Sequence, residues 1–447
     1  MSDSRDAVNV TLDPDSTPAS MARQLAGLHP ADIAAALDRL DPETTARVLG
    51  ELDTDTAADV IIHLEEHALE DVLDILGPPE IADITTELDS DDAADVVGVL
   101  DLDKQAEVLS KLEPDERREV EELLKYTDES AGGIMASELV YVNQDATVEN
   151  AIEMVRAAAD EVEEIHNVYV TDKAGRLTGV LPLRALVLAR HGAKVADVMN
   201  PDVVSVSTEM DQEVVADVFR KYDLVAVPVV DPTGKLVGRI TVDDIIDVIH
   251  EEADQDFSLM AGTSEEEIHE DSALRVSRIR LPWLVIGALG GLASATVMSL
   301  FHISLEKVLA LAFFVPVITA MGGNVGLQTS TIIVRSMRSE HGLVEEGGSR
   351  LMREWRIALV NALILGVAVL LIVGFWLSDV ALAAIVGGSL ATVILVAATL
   401  GTVMPFALRR VGVDPAVAQG PFVTTLNDIV GILVYLGLAS AFIDRLG

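Results

Sequence analysis

Leucine returns every twelve residues, from Leu28 through Leu40, Leu52, Leu64, Leu76, Leu88, Leu100 and Leu112 to Leu124. A period held that strictly marks a repeat architecture. Several units open after the leucine with Asp-Pro, Glu-Pro, Gly-Pro-Pro or Asp-Ser, as in LDPETTARVLGE and LDSDDAADVVGV, which is the chemistry of a helix N-cap and first turn. About two turns of helix fit in each unit, too few to bury an apolar face alone. The pattern therefore predicts stacked short helices, an α-superhelix over residues 19–130. Residues 1–18 lack the pattern and are expected to be a disordered tail.

Beyond residue 136 the apolar period shortens to that of strands. VYV at 140–142, a helix from Thr147, then HNVYVTD, the turn KAGR and LTGVL are followed by VVSVS, a helix from Asp211, LVAVPVVD, the turn PTGK and LVGRI. β-Branched runs flank a glycine-bearing hairpin in both copies. The order predicts two βαββα units, residues 131–198 and 199–250, and it resembles a tandem pair of CBS domains, a Bateman module. Such modules often bind adenosine nucleotides, with an acid in a [ST]-x-x-D stretch holding the ribose. That resemblance points to ATP, with Thr241 and Asp244 of the second copy as its contacts. The first copy reads Pro182, Leu183, Arg184, Ala185 and lacks both the hydroxyl and the acid. Residues 243–274 then read as an acidic amphipathic connecting helix interrupted near Gly262.

The last part of the chain changes again. Apolar stretches at about 281–301, 308–334, 356–377, 380–408 and 420–443 are each long enough to cross a bilayer core. Arg275, Arg278 and Arg280 precede the first. Arg335, Arg338, Arg350, Arg353 and Arg356 lie between the second and third, and Arg409 and Arg410 precede the fifth. The positive-inside rule then puts the N-terminus in the cytoplasm and the C-terminus outside, with five crossings of the plasma membrane by residues 275–447. Five helices make a thin wall for a pore, which suggests a homodimer with the pathway at or near its axis.

One ionisable side chain sits about two turns inside the final stretch. A carboxylate at the depth of Asp428 costs several kcal/mol unless water, a partner or a cation meets it, and the other apolar stretches carry no Lys or Arg away from their ends. Gly420, Thr424 and Asp428 recur at i, i+4, i+8 and Gly431 extends the same face, a stripe of small and polar residues. Their oxygens suit a hard divalent ion or its water shell. A protonated aspartate bonded to a neighbouring helix is the bland alternative. In the second stretch, GGNVGLQTST at 322–331 clusters Gly322, Gly323 and Gly326 beside Asn324 and Gln328. Close helix packing and an opened turn facing a wet path both account for it.

Charge is divided as sharply as hydropathy. Residues before 276 hold 20 Lys and Arg against 64 Asp and Glu, and those from 276 onward hold 11 against 9. That acidity argues against nucleic acid or anionic lipid as a partner and favours cations. Scarce Lys and abundant Asp also fit the solvated surface of a halophile. The chain has no Cys, which removes disulfides and thiolate metal sites. No cleavable signal precedes the acidic N-terminus, so the first half is expected to stay in the cytoplasm. No nucleophile-base pairing, P-loop or HExxH is present, and an enzyme is not expected.

The junction AGGIM at Ala131–Met135, the tandem CBS pair, the acidic connecting helix, GGNVGLQTST, and VDP followed by GPFVTTLNDIVG together resemble the MgtE family of magnesium channels or transporters. The resemblance covers nearly the whole chain in the family's domain order. It implies a homodimer with an N-terminal superhelix, a CBS dimer, a connecting plug helix and five membrane helices per subunit. It also implies that Asp428 meets hydrated Mg2+, with Thr424, Gly420, Asn427, Asn324 and Gly323 along the path. Cytosolic Mg2+ is then expected to close the pore by binding at Asp91, Asp95, Asp211, Glu213, Asp223, Asp244, Asp247, Glu252, Asp256 and Asp414. Gln255 stands where the family can carry an acid. Transport of another divalent ion such as Co2+ or Mn2+, or a membrane-anchored CBS nucleotide sensor, are the competing readings.

Overall fold

The structure is a computed structural model that describes residues 12–13, 16–159, 162, 165–263, 272–337, 347–419 and 421–443. Most of the tail expected at 1–18, Gly420 and residues 264–271 of the connecting stretch lie outside the described residues. The chain divides into two compact units, residues 1–252 and 253–447.

The first unit begins with helices α1 to α9, which start at Pro18, Pro30, Pro42, Thr54, Glu66, Pro78, Ser90, Leu102 and Pro114. The twelve-residue leucine period is thus the helix-start period. Each repeating leucine from Leu28 to Leu112 stands just before an N-cap, and four of the caps are made by the N-cap side chain as the sequence suggests. Asp41 accepts from Thr44 N at 3.0 Å and Asp53 from Thr56 N at 3.1 Å, satisfying donors that a helix start leaves open. Helices of eight to ten residues bury Leu25, Ile33, Leu37, Ile61, Leu73 and Ile81 almost completely. Most pack on the next helix but one, which is the superhelix.

Two three-stranded sheets follow. In the first, β1 (Tyr141–Asn143) pairs parallel with β2 (Asn167–Thr171), which pairs antiparallel with β3 (Leu177–Pro182); α10 (Val148–Ala157) makes the crossover and the short α11 (Leu183–Leu188) and α12 (Val195–Val198) follow. The second repeats this with β4 (Val206–Ser207), α13 (Gln212–Tyr222), β5 (Ala226–Val230), β6 (Leu236–Thr241) and α14 (Val242–Ala261). The hairpin glycines Gly175 and Gly234 adopt φ of 80° and 83°, a conformation that glycine takes without strain. Each turn bonds to the other, Leu177 N to Gly234 O and Leu236 N to Gly175 O, both at 3.1 Å.

The AGGIM junction does not join the first sheet. Ala131 N donates to Met210 O at 2.7 Å, Gly132 N to Thr208 O at 3.0 Å, and Ala136 exchanges bonds with Arg239 on β6. A Cβ on Gly133 would lie 2.5 Å from Thr127 O, so the backbone tolerates no side chain there. The second sheet accordingly shares one apolar cluster with the superhelix, while the first sheet has its own around Val168, Val170 and Leu181.

Five helices of the second unit are long and apolar enough to cross a membrane. They are α15 (Ala273–Leu300), α17 (Ala310–Met337), α18 (Gly347–Leu377), α19 (Val380–Arg410) and α20 (Pro421–Ala441), with a short α16 (His302–Lys307) that the hydropathy pattern does not announce. Helix α19 is the most buried, between α17, α18 and α20; α15 packs mainly on α20. Gly262, at φ 70°, closes α14 where the interruption is expected.

Candidate ion pathway and acidic sensing face

Helix α20 is held in place by contacts along its length. Tyr435 Oη donates to Leu311 O at 2.9 Å, Ser440 bonds Ser304 at 2.7 Å, and Phe422 packs edge-on against Trp283. It lies antiparallel to α17, with Gly431 near Ile318, Asn427 over Gly322 and Gly326, and Thr424 against Gly323. The helix α17 is unbroken through its glycines. Among the two explanations for that cluster, close packing is therefore the one found, and the opened turn is not.

The tightest point involves three helices. A Cβ on Gly401 of α19 would lie 2.5 Å from Gly326 O and 3.0 Å from Thr329 Cβ, and one on Gly326 would collide with Asn427 Nδ2. We expect Gly401→Ala to push α19 off the α17 backbone and to lower the melting temperature of detergent-solubilised protein, a cost of about 1–3 kcal/mol. Gly388→Ala, whose Cβ meets nothing within 4 Å, should melt like the unaltered chain.

This packing sorts the expected pathway residues into two groups. Asp428 is half-buried and Thr424, one turn earlier, is exposed; no hydrogen bond or ion pair meets the Asp428 carboxylate among the described residues. Asn324 is exposed on α17. Gly323 is buried against the Thr424 methyl, and Asn427, only 2% exposed, turns into the helix junction, where Nδ2 has no partner among the described residues. Asn427 thus belongs to the packing side of α20, because the residue before Asp428 is rotated about 100° from it. Hydropathy alone also gave no hint of the buried Arg350 and Glu354 near the start of α18, where Arg350 donates to Ser336 and Glu354 lies 3.8 Å from Arg353.

In the first unit, one acidic face stands out. Helix α7 (Ser90–Gly98) carries Asp91, Asp92 and Asp95, and they interact with Asp244 in the first turn of α14. Burial first, then Asp92 and Asp244, holds Asp91 well above the usual carboxylate range. Asp92 is pushed up to about 7 by burial and by Asp244, Asp95, Asp89 and Asp243. Asp95 is also raised to about 7, by desolvation and then by Asp128, Glu251 and Asp244, an effect tempered by water at its exposed side chain. Burial raises Asp244 as well, against hydrogen bonds from Thr241 that pull the other way.

Of the ten acids expected to sense Mg2+, the structure brings Asp91, Asp95 and Asp244 together and adds Asp92. Its signal was in the sequence: DDAAD at 91–95 puts three carboxylates within one helical turn. The others have different surroundings. Asp211 is the N-cap of α13 and accepts from Glu213 N at 3.0 Å; Asp223 ends that helix in a left-handed conformation, φ 50°. Glu252 accepts from Gln212 Nε2 at 3.1 Å, Asp247 is exposed, and Asp256 is half-buried further along α14. Asp414 accepts from Ala416 N at 2.6 Å, before a 3-10 turn at Pro415–Gln419. Among the described residues no three His, Asp or Glu converge with the geometry of direct metal ligands.

Thr241 and Asp244, expected to hold a nucleotide, bond to each other: Asp244 Oδ2 accepts from Thr241 Oγ1 at 2.7 Å and from its N at 3.0 Å. A small cavity lined by Val140, His166, Tyr169, Ala226 and Arg239, and by neither Thr241 nor Asp244, measures about 10 Å³, the space of one water.

Comparison with known proteins finds the same order of domains. Residues 315–438 match the MgtE divalent cation transporter model, 28–129 the MgtE intracellular N domain, and 131–192 and 195–251 the CBS domain. A protein named magnesium transporter MgtE from Thermus thermophilus is 39% identical over 331 residues, 73% of this chain and 72% of that protein. One of the same name from Enterococcus faecalis is 38% identical over 323 residues, 72% and 71% of the two chains. Among solved structures, the cytosolic domain of the Mg2+ channel MgtE in complex with ATP is 40% identical and covers 51% of this chain and 93% of its own, with a TM-score of 0.49. With its superhelix, CBS pair and five apolar helices in that order, the chain belongs to the MgtE family, as a multi-pass membrane protein whose N-terminal domains are intracellular.

Proposed function

We propose that this protein carries Mg2+ across the plasma membrane as a homodimer, and that Mg2+ on the cytoplasmic side closes the path. The observation that carries the transport reading is Asp428, a partly exposed carboxylate in the last span with no bond from the described residues. Mg2+ sheds water reluctantly, so the ion passes with its shell and Asp428 acts on the bound waters. Thr424 and Asn324, both exposed, continue the wet side of the helix pair. The relatives named magnesium transporters support Mg2+ as the cargo.

Closure rests on the acidic face of α7 and α14. Carboxylates crowded there repel one another when no cation is present. A hydrated Mg2+ between them offsets the repulsion, and since Mg2+ sheds water reluctantly the ion is held through its water shell. Binding that favours the compact arrangement draws the population toward it, and through α14, which leads on to the membrane spans, toward the closed pore. The arginines before the first and fifth spans and between the second and third support a cytoplasmic N-terminus and an external C-terminus. ATP at Thr241 and Asp244 of the second CBS copy is a candidate modulator.

The test is flux into liposomes holding the purified full chain. Mg2+ entry is expected when Mg2+ is low on the side of the soluble domains, and arrest when it is raised there. Flux of Co2+ or Mn2+ that Mg2+ fails to compete would replace the cargo assignment. No ion flux, with tight ATP binding by the CBS pair, would replace it with a nucleotide sensor.

A further inference from the structure

Helices α3, α4 and α8 are capped by the side chains of their own N-cap aspartates, and α7 is not. Its N-cap residue, Asp89, makes no side-chain capping bond. The bonds come instead from 48 residues downstream: Glu138 Oε1 accepts from Ser90 N at 3.1 Å, and Oε2 from Ser90 Oγ at 2.8 Å. Ser90 Oγ in turn accepts from Ser137 N at 2.8 Å, and Ser90 is 4% exposed. A carboxylate at a helix start answers both the open N–H groups and the helix dipole.

The same three-residue stretch reaches the other side of the sensing face. Ala136, next to Ser137, exchanges backbone bonds of 2.8 and 2.9 Å with Arg239 on β6, and Arg239 Nη2 lies 3.7 Å from Asp89 Oδ2. Asp91 is one residue past the Ser90 end of this bridge. Asp244 is five residues past Arg239, where β6 passes directly into α14. Residues 136–138 therefore fix the start of α7 against the start of α14, which is the spacing between the two rows of carboxylates.

We propose that Glu138 is a positioning residue of the Mg2+ sensor: by capping α7 from the CBS pair, it holds Asp91, Asp92 and Asp95 opposite Asp244. The inference rests on the reading that this face senses Mg2+. Glu138 touches no transported ion; its charge adds to the repulsion on Asp89, and its two hydrogen bonds to Ser90 supply an attraction across the junction that needs no cation. The bonds exist in the compact arrangement, so they lower the Mg2+ needed to reach it.

Limited proteolysis of the full-length protein against Mg2+ concentration tests this, with flux as a second readout. Glu138→Ala should raise the Mg2+ midpoint for protection, and for arrest of flux, by about tenfold, the effect of losing a hydrogen bond to a charged group. Glu138→Gln, which keeps one acceptor, should fall between, and Ser90→Ala should shift the midpoint in the same direction. Melting in Mg2+-free buffer should be unchanged. An unchanged midpoint in Glu138→Ala, while the unaltered chain is protected by Mg2+, overturns the inference, and a lower Mg2+-free melting temperature with that unchanged midpoint assigns Glu138 to stability alone. If the unaltered chain shows no protection by Mg2+ at all, the sensing reading fails first and this one with it.

Discussion

Replacing Asp428 by Asn is expected to cut Mg2+ flux about 10–100-fold and to leave the protein folded. The two halves of that expectation have separate causes. Asn keeps the size and an acceptor for a bound water but loses the charge, and a charged acceptor contributes roughly 1.5–3 kcal/mol beyond a lost contact, or about 10–100-fold for one ion passage. Removing the side chain in Asp428→Ala takes the water contact away as well and should abolish measurable flux. Folding is spared because the carboxylate is half-buried and bonds to no described residue; relieving its burial lowers the cost of inserting α20. Flux into liposomes and melting in detergent read the two halves independently. Unchanged flux in Asp428→Asn would reduce Asp428 to packing, and the pathway would have to lie elsewhere.

The second large effect concerns the acids of α7. Asp91, Asp92 and Asp95 changed together to Asn should make the soluble domains as protease-resistant without Mg2+ as the unaltered chain is with it, and flatten the Mg2+ response. Asp244 is left intact because it caps Thr241. The direction follows from the raised pKa of Asp92 and Asp95, about 7 against an ordinary 3.8. A carboxylate that ionises less readily in the compact form favours that form when protonated. Its contribution is therefore complete below pH 3.8 and is lost as pH rises through about 7. Mg2+-free protein should accordingly loosen between about pH 4 and 7, and Mg2+ should abolish the transition; each pK unit is worth about 1.4 kcal/mol, a tenfold change in the balance. Proteolysis across that range checks both. A triple variant that still responds to Mg2+ like the original would remove this face from the sensor.

What the sequence disclosed depended on whether a property was local. The caps after each leucine, the two glycine hairpins and the five apolar stretches are set by neighbours within a few residues, and the helices, strands and spans follow them closely. The rest depends on distant partners. The glycines of α17 read equally well as packing or as an opened turn until Gly401 and Asn427 are seen against them. Asn427 and Asp428 are neighbours in sequence, yet one enters a helix junction and the other remains partly exposed. Asp92 joins Asp244 across 152 positions, and Glu138 caps a helix 48 residues upstream; no spacing rule reveals either. Of the ten acids that the family resemblance offered, Asp211 caps α13, Asp223 ends it and Glu252 accepts from Gln212, contacts that no spacing rule announces.

The superhelix also limits how this part of the chain can vary. Helices start at twelve-residue intervals from Pro18 to Pro114, and each buried stripe meets a partner two helices away. One residue inserted within a helix turns everything after it by about 100° and carries the next leucine off its seat. Natural changes in length here should come as whole twelve-residue blocks, and because stacking skips a neighbour, those blocks should be gained or lost in pairs.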